Sequence, residues 1–467
     1  MQEKEKNRLT VSVRSFLTAI FVIAILMAAT YLLTFLIPGG NYARTLDDAG
    51  NLVIDTEAGF TYIDGGISFW KWLLSPILVL GAAGSGTLIA VIVFLLVIGG
   101  VFTCLDRCGL MKYMLHKTAS RFSAVRYRLM AVVLLVFMAM GTMIGSFEEC
   151  VPLVPIMVVL AIDLGWDALT GIGMSLLAAG CGFAAGVCNP FTVGVAQQLA
   201  GLPMFSGVWL RMLSFLLIYL LLYGFLRYHA KKIERPLAAV QSSVSFEPDA
   251  KMDKGLWCFV GIMGTGMALV LSSGFIPALQ DYTMIIVAVM FLAAGLCATM
   301  LCGTNGREMG KQFLSGVTGI LPAVLMILMA SSIRYTLEEA KVLDTILHES
   351  VALAQRLPGW MVILFIYLVV LVMNFFIPSG SAKAFMLIPL IVPMAQVFGL
   401  SAQLCVVAFA FGDGFSNVFY PTNPALLIAL GLADVNYGDW FKWSGKFQIP
   451  NLVLTSLVLI FGLVAGY

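Results

Sequence analysis

The sequence predicts an all-α polytopic membrane protein with two inverted-topology repeats, each carrying a re-entrant helical hairpin and a broken transmembrane helix. Three observations lead to this prediction: the composition, a series of apolar segments, and an ordered set of motifs that occurs twice. Of the 467 residues, 60% are hydrophobic and only 11% are charged, and the mean hydropathy is +0.98. Because soluble domains carry about 25% charged residues, this composition excludes a soluble globular protein.

Nine apolar segments approach or exceed the ~20 residues that a helix needs to cross a bilayer. They lie at 15–37, 83–104, 168–200, 209–227, 255–273, 282–302, 313–333, 401–432 and 447–466. The first lacks an A-x-A-like cleavage site, so we expect it to remain in the protein as a spanning helix. Two further apolar pairs, 128–163 and 359–397, are each interrupted near the middle. Each pair is predicted to leave and return on one side, as a re-entrant hairpin or as two full crossings.

The distribution of Lys and Arg orients these segments. By the positive-inside rule, the basic segments 1–14, 105–128 and 227–254 are cytoplasmic, and the loops 38–71 and 334–357 are external. This orientation predicts a multi-pass protein of the bacterial cytoplasmic (inner) membrane with its N-terminus inside. The predicted units are a cytoplasmic N-terminus, a first transport repeat, a cytoplasmic linker, and an extra helix with the second transport repeat, at 1–14, 15–227, 228–254 and 255–467.

The same order of motifs recurs at an offset of about 230 residues. "LDRCGLMKYMLHKTASRF" at 105–122 and "LEEAKVLDTILHESVALA" at 337–354 each precede an apolar arm, a Gly/Ser break and a proline pair, "PLVP" or "PLIVP". Downstream, "NPF" at 189–191 and "YPTNP" at 420–424 follow a glycine-containing apolar run. Because the first copy begins inside and the second outside, the copies form an inverted repeat, an architecture common among secondary transporters.

Four breaks within the apolar segments are candidate parts of a binding site. They are Gly145–Glu149, Cys188–Thr192, Pro378–Lys383 and Gly412–Asn423. Lipid cannot hydrogen-bond a non-helical backbone, so such breaks must line a protein-walled cavity. Freed carbonyls can bind cations, and the N–H groups at half-helix N-termini can hold carboxylates. The alternative for each break is a Pro/Gly kink that serves packing alone.

Charged side chains at these breaks are the strongest functional candidates. Glu148 and Glu149 would each cost about 2.5–3.5 kcal/mol at a helix centre, so we expect them to hold cargo or a cation; an ion pair or an interfacial position is the alternative. Asp413 lies among glycines that permit close backbone approach, and its alternative role is a helix cap. Lys383 is the one cation at comparable depth and is predicted to hold the cargo carboxylate, together with the backbone N–H groups near Ser379–Ser381; pairing with a glutamate is its simpler role.

The predicted substrate-binding set combines these charges with neutral polar side chains at the same breaks. It comprises Glu148, Glu149, Asn189, Ser379, Ser381, Lys383, Asp413, Asn417, Thr422 and Asn423. A Na+ site is predicted near Ser146, Glu148, Asp413 and Ser416. No catalytic residue and no cofactor is predicted, and a coupling Na+ or H+ is expected instead.

The charge balance at the breaks bears on the cargo. Three carboxylates face one lysine, which favours a cationic or zwitterionic cargo, or a carried ion, over a dianion. Dianion sites commonly use arginine, and no arginine occurs within the four breaks. Arg334, the nearest, lies at a predicted helix end, where its side chain is expected to reach the interface.

Several motifs resemble the YfcC family, which is grouped with ArcD-like basic amino acid antiporters and DcuC-type C4-dicarboxylate carriers in the ion transporter superfamily. The resemblance is carried by the paired glutamates, "NPFTVGVAQQLAGLPMFSG" (189–207), "IPSGSAKAFMLIPLIVPMAQVFG" (377–399) and "FAFGDGFSNVFYPTNPALLIALG" (409–431). It extends from about residue 15 to the C-terminus. Phe147 departs from the pattern, because family members tend to have a small residue there.

The resemblance implies two inverted repeats with substrate and ions between the hairpin tips. On this chain it places at the site Glu148, Glu149, Asn189, Ser379, Ser381, Asp413, Asn417 and Thr422. The implied partners are a small-molecule substrate and the lipid bilayer, with a homodimer by analogy to the superfamily. A nucleic-acid partner is not expected, because no basic cluster is interleaved with stacking aromatic residues.

The leading functional hypothesis is a secondary active transporter, an ion-coupled symporter or exchanger, of a small amino- or carboxylate-bearing metabolite. Within it, basic amino acid antiport of the arginine/ornithine type is favoured, and a C4-dicarboxylate or other organic-anion carrier is the alternative. A passive channel and an intramembrane aspartyl protease also stay open. The protease rests on "AFGD" at 410–413, where Ala410 replaces the first glycine of the GxGD pattern. We expect no enzymatic activity.

Overall fold

Long helices dominate the computed structural model of the protein. The structure describes residues 13–46, 52–54, 59–82, 85–111, 113–114, 117, 125–145, 147–203, 205–234, 249–273 and 283–467. In the first half of the chain the helices are α1 (Val13–Leu36), α2 (Phe69–Leu73), α3 (Ser75–Leu78), α4 (Ser85–Arg107), α5 (Arg126–Ile144), α6 (Val154–Asp163), α7 (Ala168–Ile172), α8 (Ala178–Ala185), α9 (Val195–Leu199) and α10 (Val208–Ile233).

The second half contains α11 (Ala250–Ser273), α12 (Thr283–Leu301), α13 (Gly306–Glu339), α14 (Val342–Ala354), α15 (Gly359–Phe376), α16 (Gly380–Val397), α17 (Ala402–Asn417), α18 (Pro424–Leu432) and α19 (Tyr437–Val464). Short 3-10 turns occur at Val79–Gly81 and Glu148–Leu153, and π-helical turns at Gly173–Leu177 and Pro190–Gly194. Eight helices within the described ranges are long and apolar enough to cross a bilayer. The prediction of an all-α polytopic membrane protein is confirmed.

The loop that follows α1 contains four short strands, which the sequence analysis did not anticipate. Strand β1 (Gly39–Tyr42) pairs antiparallel with β4 (Phe60–Ile63), and β2 (Arg44–Leu46) pairs with β3 (Leu52–Ile54). The loop is attached to α14, because both Arg44 Nη2 and the Tyr42 amide bond to the Asp344 carboxylate, at 2.8 and 3.0 Å. The strands therefore form a small cap over this helix.

The two interrupted helices form the centre of the protein. Every residue of α8 is buried, as is every residue of α17 except Gln403. Helices that are apolar and buried on all sides belong to the core of a large protein. In contrast, α10 and α19 expose large apolar side chains such as Leu220 and Ile449, as expected for helices that face lipid. The broken helices are thus surrounded by protein.

The breaks lie close to their predicted positions, although each is shorter than its predicted range or shifted from it, and the largest correction concerns the last one. α5 ends at Gly145 (φ 73°), α8 ends at Gly186 (φ 53°), and α15 and α16 are separated by residues 377–379. The break predicted for Gly412–Asn423 is shorter, because α17 continues through Asn417 and only residues 418–423 are non-helical. The predicted break begins too early because the prediction interprets Gly412 and Gly414 as helix-breaking residues.

These glycines allow close helix contacts and do not interrupt the helix. A Cβ on Gly414 would lie 2.3 Å from Ala184 Cα, and one on Gly412 would lie 2.6 Å from Val370 Cβ. Only glycine leaves room for contacts this short. The two broken helices therefore cross at Ala184 and Gly414, which are themselves about 230 residues apart in the chain.

The contacts of one half recur in the other. α5 packs on α8 as α15 packs on α17, and α6 touches α18 while α16 touches α9. At the first of these contacts Gly182 faces the carbonyl of Met138, and at the second Gly412 faces Val370, again about 230 residues later. These matched contacts support the predicted repeat, whose inverted topology and domain limits stay predictions.

Gly182→Ala is expected to lower the thermal unfolding midpoint of the detergent-solubilised protein. The added Cβ would lie 2.0 Å from the Met138 carbonyl oxygen, so the hairpin arm must shift. Overpacking of this kind costs about 1–3 kcal/mol. Gly224→Ala in α10 is the matched control, since a Cβ there meets nothing within 4 Å. Equal midpoints for the two variants would contradict the close contact.

Candidate functional site

A fully buried ion pair lies where the second hairpin meets the second broken helix. Lys383, in the first turn of α16, donates from Nζ to Asp413 Oδ1 of α17 at 2.6 Å, and both side chains have zero exposure. Two charges can be buried together only if each finds a partner of opposite sign and further hydrogen bonds. The predicted alternative for Lys383, an ion pair, is present, although its partner is Asp413 and not a glutamate.

The Lys383 ammonium uses all of its donors within the protein. Besides Asp413, Nζ donates to the carbonyl of Ile377 at 2.9 Å and to Asn374 Oδ1. An ammonium has three N–H groups, and three acceptors surround this one. The contacts therefore leave no donor for a cargo carboxylate, so they do not support that predicted role of Lys383.

Asn374 is the centre of the polar network and was not among the predicted site residues. Its Nδ2 lies 3.1 Å from the Asp413 carbonyl, 2.6 Å from Ser416 Oγ and 2.9 Å from Asn417 Oδ1. Asn423 Nδ2 donates to the same Asn417 oxygen at 3.0 Å. The network thus fixes the end of α17 and the start of α18. The available signal was that Asn374 is the only amide side chain in the apolar arm α15.

The first broken helix is held in a comparable way. Thr142, about 230 residues before Asn374, accepts the Val187 amide on Oγ1 at 2.8 Å and the Cys188 amide on its carbonyl at 3.1 Å. Asn189 Oδ1 then accepts the Thr192 amide at 3.3 Å. Each hairpin arm therefore carries one polar side chain that holds the adjacent break.

Asn189 and Asn423 have the same local role, because each precedes a proline that starts the second half-helix. Asn423 Oδ1 accepts the amides of Ala425 and Leu426 at 2.9 and 3.4 Å, as expected of an N-cap. Ser379 likewise caps α16 by accepting the Ala382 amide at 3.4 Å. For these three predicted site residues the structure shows contacts that cap a helix start.

Three buried polar atoms in or beside the two broken helices have no hydrogen-bond partner among the described residues. They are Asp413 Oδ2, Thr192 Oγ1 and Thr422 Oγ1. Asp413 Oδ2 and Thr192 Cγ2 both lie 2.5 Å from the position that a Cβ would take on Gly380. The second hairpin tip, the first broken helix and the second broken helix therefore meet at one point. Because an unpaired buried polar group costs about 1–3 kcal/mol, this point is a candidate ligand site.

The first hairpin tip packs against the second half of the second broken helix. Glu148 and Glu149 begin the 3-10 turn Glu148–Leu153, which packs against α18. Their side chains and all of Ser146 lie outside the described residues, so their predicted roles stay predictions. Ser416, predicted near Na+, donates its hydroxyl to the Gly412 carbonyl at 2.6 Å. Ser381 is half-buried in the first turn of α16.

The fold brings an arginine to the break of the first broken helix, at Cys188–Thr192, although no arginine occurs in the sequence of that break. Arg211 of α10 is fully buried; its Nε donates to the Val187 carbonyl at 3.4 Å and its Nη2 to the Ser206 carbonyl at 2.9 Å. The preceding loop folds back because Gln197 accepts the Phe205 amide at 2.6 Å and donates to the Ser206 carbonyl at 2.9 Å. The charge balance deduced from sequence position alone therefore omitted one cation.

Known proteins place the chain among transporters. The model of the DcuC family, C4-dicarboxylate anaerobic carriers, matches residues 16–464. The chain is 29% identical to YfcC of Escherichia coli strain K12, provisionally named a basic amino acid antiporter, over 82% of this chain and 79% of YfcC. This similarity confirms the resemblance predicted from the motifs. A citrate transporter of Bacillus subtilis strain 168 is 26% identical over 38% of this chain and 41% of its own.

Among solved structures, the chain is similar to MtrF of Neisseria gonorrhoeae, from a class of antimetabolite efflux pumps. The two are 16% identical, with a TM-score of 0.47 over 95% of this chain and 94% of MtrF. A similarity this distant carries no argument about fold or function.

Proposed function

We propose that this chain, a multi-pass membrane transporter that belongs to the DcuC family of C4-dicarboxylate anaerobic carriers, is a secondary active transporter that exchanges basic amino acids. The name of its relative YfcC supports the basic amino acid cargo. We place it in the bacterial inner membrane with its N-terminus in the cytoplasm. The cargo site lies between the hairpin tips and the broken helices. It is exposed alternately to the two sides of the membrane, and the concentration gradients of the cargo molecules drive the exchange.

The observation that carries the proposal is the state of the Asp413 carboxylate. Lys383 holds Oδ1 at 2.6 Å, whereas Oδ2 is buried, has no partner among the described residues and lies beside Thr192. A buried oxygen with this unused capacity suits an ammonium or guanidinium group of the cargo, because charge-assisted hydrogen bonds are the stronger ones. Glu148 or Glu149 of the other hairpin tip supplies the second anionic contact in this proposal.

The coupling ion in this proposal shares the same oxygen atoms. Asp413 Oδ2 and the neighbouring hydroxyl of Thr192 are hard oxygen donors, which suit Na+. When cargo leaves, a Na+ or a proton at Asp413 replaces the positive charge of the cargo and allows the empty carrier to return. If a second cargo molecule always binds at Asp413 before the carrier returns, the exchange needs no coupling ion.

Proteoliposomes preloaded with ornithine test the proposed cargo. External labelled arginine should accumulate by exchange, saturate with concentration, and enter these liposomes faster than liposomes that lack internal amino acid. Saturation and counterflow also distinguish a carrier from a passive channel, which would show neither. Strong counterflow of succinate or fumarate, without arginine exchange, would instead establish the second candidate.

That second candidate, a C4-dicarboxylate carrier, is favoured by the family description and by the presence of Arg211 at the break of the first broken helix. The protease alternative needs a second aspartate opposite Asp413. The group found on Asp413 Oδ1 is the ammonium of Lys383, and the named relatives of the chain are transporters.

A further inference from the structure

Arg211 has more hydrogen-bonding capacity than its structural contacts use. Its Nη1 group is buried and has no partner among the described residues, while Nε and Nη2 bind the carbonyls of Val187 and Ser206. Within the described part of the chain, no carboxylate pairs with this guanidinium. An isolated buried charge is costly by several kcal/mol unless an opposite charge and hydrogen bonds compensate it. Although the guanidinium also lies within hydrogen-bonding reach of the Tyr467 side chain, its Nη1 group lacks an acceptor and its charge lacks a carboxylate partner among the described residues.

A purely structural role accounts for only part of this arrangement. The Val187 carbonyl lies just beyond the C-terminus of α8, where a positive charge stabilises the helix dipole. That role needs only the two donors that are already engaged. It leaves unexplained why a third nitrogen of the guanidinium is buried without a partner. A ligand that brings a negative charge and an acceptor oxygen would satisfy both deficits together.

The same short segment connects Arg211 to the proposed cargo site. Residue 187 contacts the guanidinium, and Thr192, five residues later, lies beside Gly380 and Asp413 Oδ2. The Thr192 hydroxyl is also buried and without a partner. Unused donors thus lie at one end of the segment 187–192, and an unused carboxylate oxygen lies at the other. An amino acid carries the complementary pair of groups, a carboxylate and a cation.

We propose that Arg211 binds the carboxylate of the cargo at the break of the first broken helix and thereby selects carboxylate-bearing ligands. This inference rests on the proposed transport function but not on the identity of the cargo, because a dicarboxylate would use the same contact. Arg211 takes the place that the sequence analysis gave to Lys383, whose donors are all engaged within the protein.

Alkylation of Cys188 in the purified full-length protein provides the test. Cys188 follows Val187 directly and is half-buried, so a ligand on Arg211 should slow its reaction with N-ethylmaleimide, followed by peptide mass spectrometry. Three probes are compared: arginine, agmatine, which is arginine without its carboxylate, and succinate. The variants are Arg211→Gln, Arg211→Lys and, as the matched control in the same helix, the exposed Arg227→Gln.

We expect Arg211→Gln to raise the half-protecting concentration of the carboxylate ligand by about tenfold or more, since a bond to a charged group is worth about 1.5–3 kcal/mol. Protection by agmatine should change by less than about twofold. Arg211→Lys keeps the charge and should recover part of the affinity, and Arg227→Gln should behave like the wild type. Arg211→Lys also keeps the test valid if Arg211→Gln fails to fold.

Three results would overturn the proposal. Equal weakening of arginine and agmatine would assign Arg211 a structural role, as would unchanged protection by the carboxylate ligand. Failure of every carboxylate probe to protect Cys188 in the wild type would remove the site altogether. If succinate protects and arginine does not, and Arg211→Gln abolishes that protection, the Arg211 site stands while the basic amino acid cargo is refuted.

Discussion

Replacing Lys383 with methionine should destabilise the protein by about 3–5 kcal/mol, because it leaves the Asp413 carboxylate buried without its counter-charge. Lys383 Nζ is 2.6 Å from Asp413 Oδ1, and neither side chain has any exposure. Methionine keeps the length and apolar stem of lysine, so lost packing contributes little. The measurement is the thermal unfolding midpoint of the detergent-solubilised protein.

Two further variants show whether the loss comes from the unpaired charge. Lys383→Met combined with Asp413→Asn removes both charges and should recover most of the lost stability, since replacing a buried pair costs far less than breaking it. Lys71→Met breaks the half-exposed pair with Glu339, at side-chain exposures of 43% and 37%, and should cost less than about 1 kcal/mol. A midpoint for Lys383→Met no lower than that of Lys71→Met would contradict the buried ion pair.

Asp413→Asn should reduce arginine/ornithine exchange about 30-fold or more. The substitution preserves the shape and one acceptor oxygen but removes the charge that is proposed to bind the cargo cation. Losing one partner of a buried, hydrogen-bonded charge pair costs about 2–5 kcal/mol, and each 1.4 kcal/mol is about tenfold. Initial exchange rates in proteoliposomes, normalised to reconstituted protein, measure the effect.

The control for this prediction is a second carboxylate in an ion pair outside the site. Asp344 binds Arg44 at 2.8 Å on the strand cap, and Asp344→Asn should leave the exchange rate within about twofold. The Lys383→Met/Asp413→Asn protein should fold but remain inactive, which separates transport from stability. An Asp413→Asn protein that exchanges at the wild-type rate would show that its carboxylate does not bind cargo.

Local sequence was enough to predict the architecture and most of the breaks. Composition and apolar length are properties of contiguous segments, and a bilayer turns them directly into spanning helices. Gly145 and Pro378 mark predicted breaks because their effect on the backbone is local. The same reasoning misplaced the break in α17, where Gly412 and Gly414 serve contacts with Val370 and Ala184. Sequence does not distinguish a glycine that ends a helix from one that admits a neighbouring helix.

The polar contacts of the site could not be predicted, because they join residues far apart in the chain. Asp413 pairs with Lys383 thirty positions away, and Arg211 reaches Val187 across a folded-back loop. Asn374 looks like an isolated polar residue in an apolar arm until the end of α17 is packed against it. The sequence therefore predicted several buried polar residues, such as Lys383 and Asp413, but it missed Asn374 and Arg211 and did not predict how these residues would be paired.

The measurement that tests the central claim most directly is ligand-dependent thermal stabilisation of the wild type and Asp413→Asn, with arginine and succinate as ligands. A ligand at 100 times its Kd stabilises the folded state by about 2.7 kcal/mol, so specific binding gives a midpoint that rises with ligand concentration. We predict that arginine raises the midpoint of the wild type and of Asp344→Asn, and that this rise disappears in Asp413→Asn. An equal arginine-dependent rise in Asp413→Asn would contradict the account.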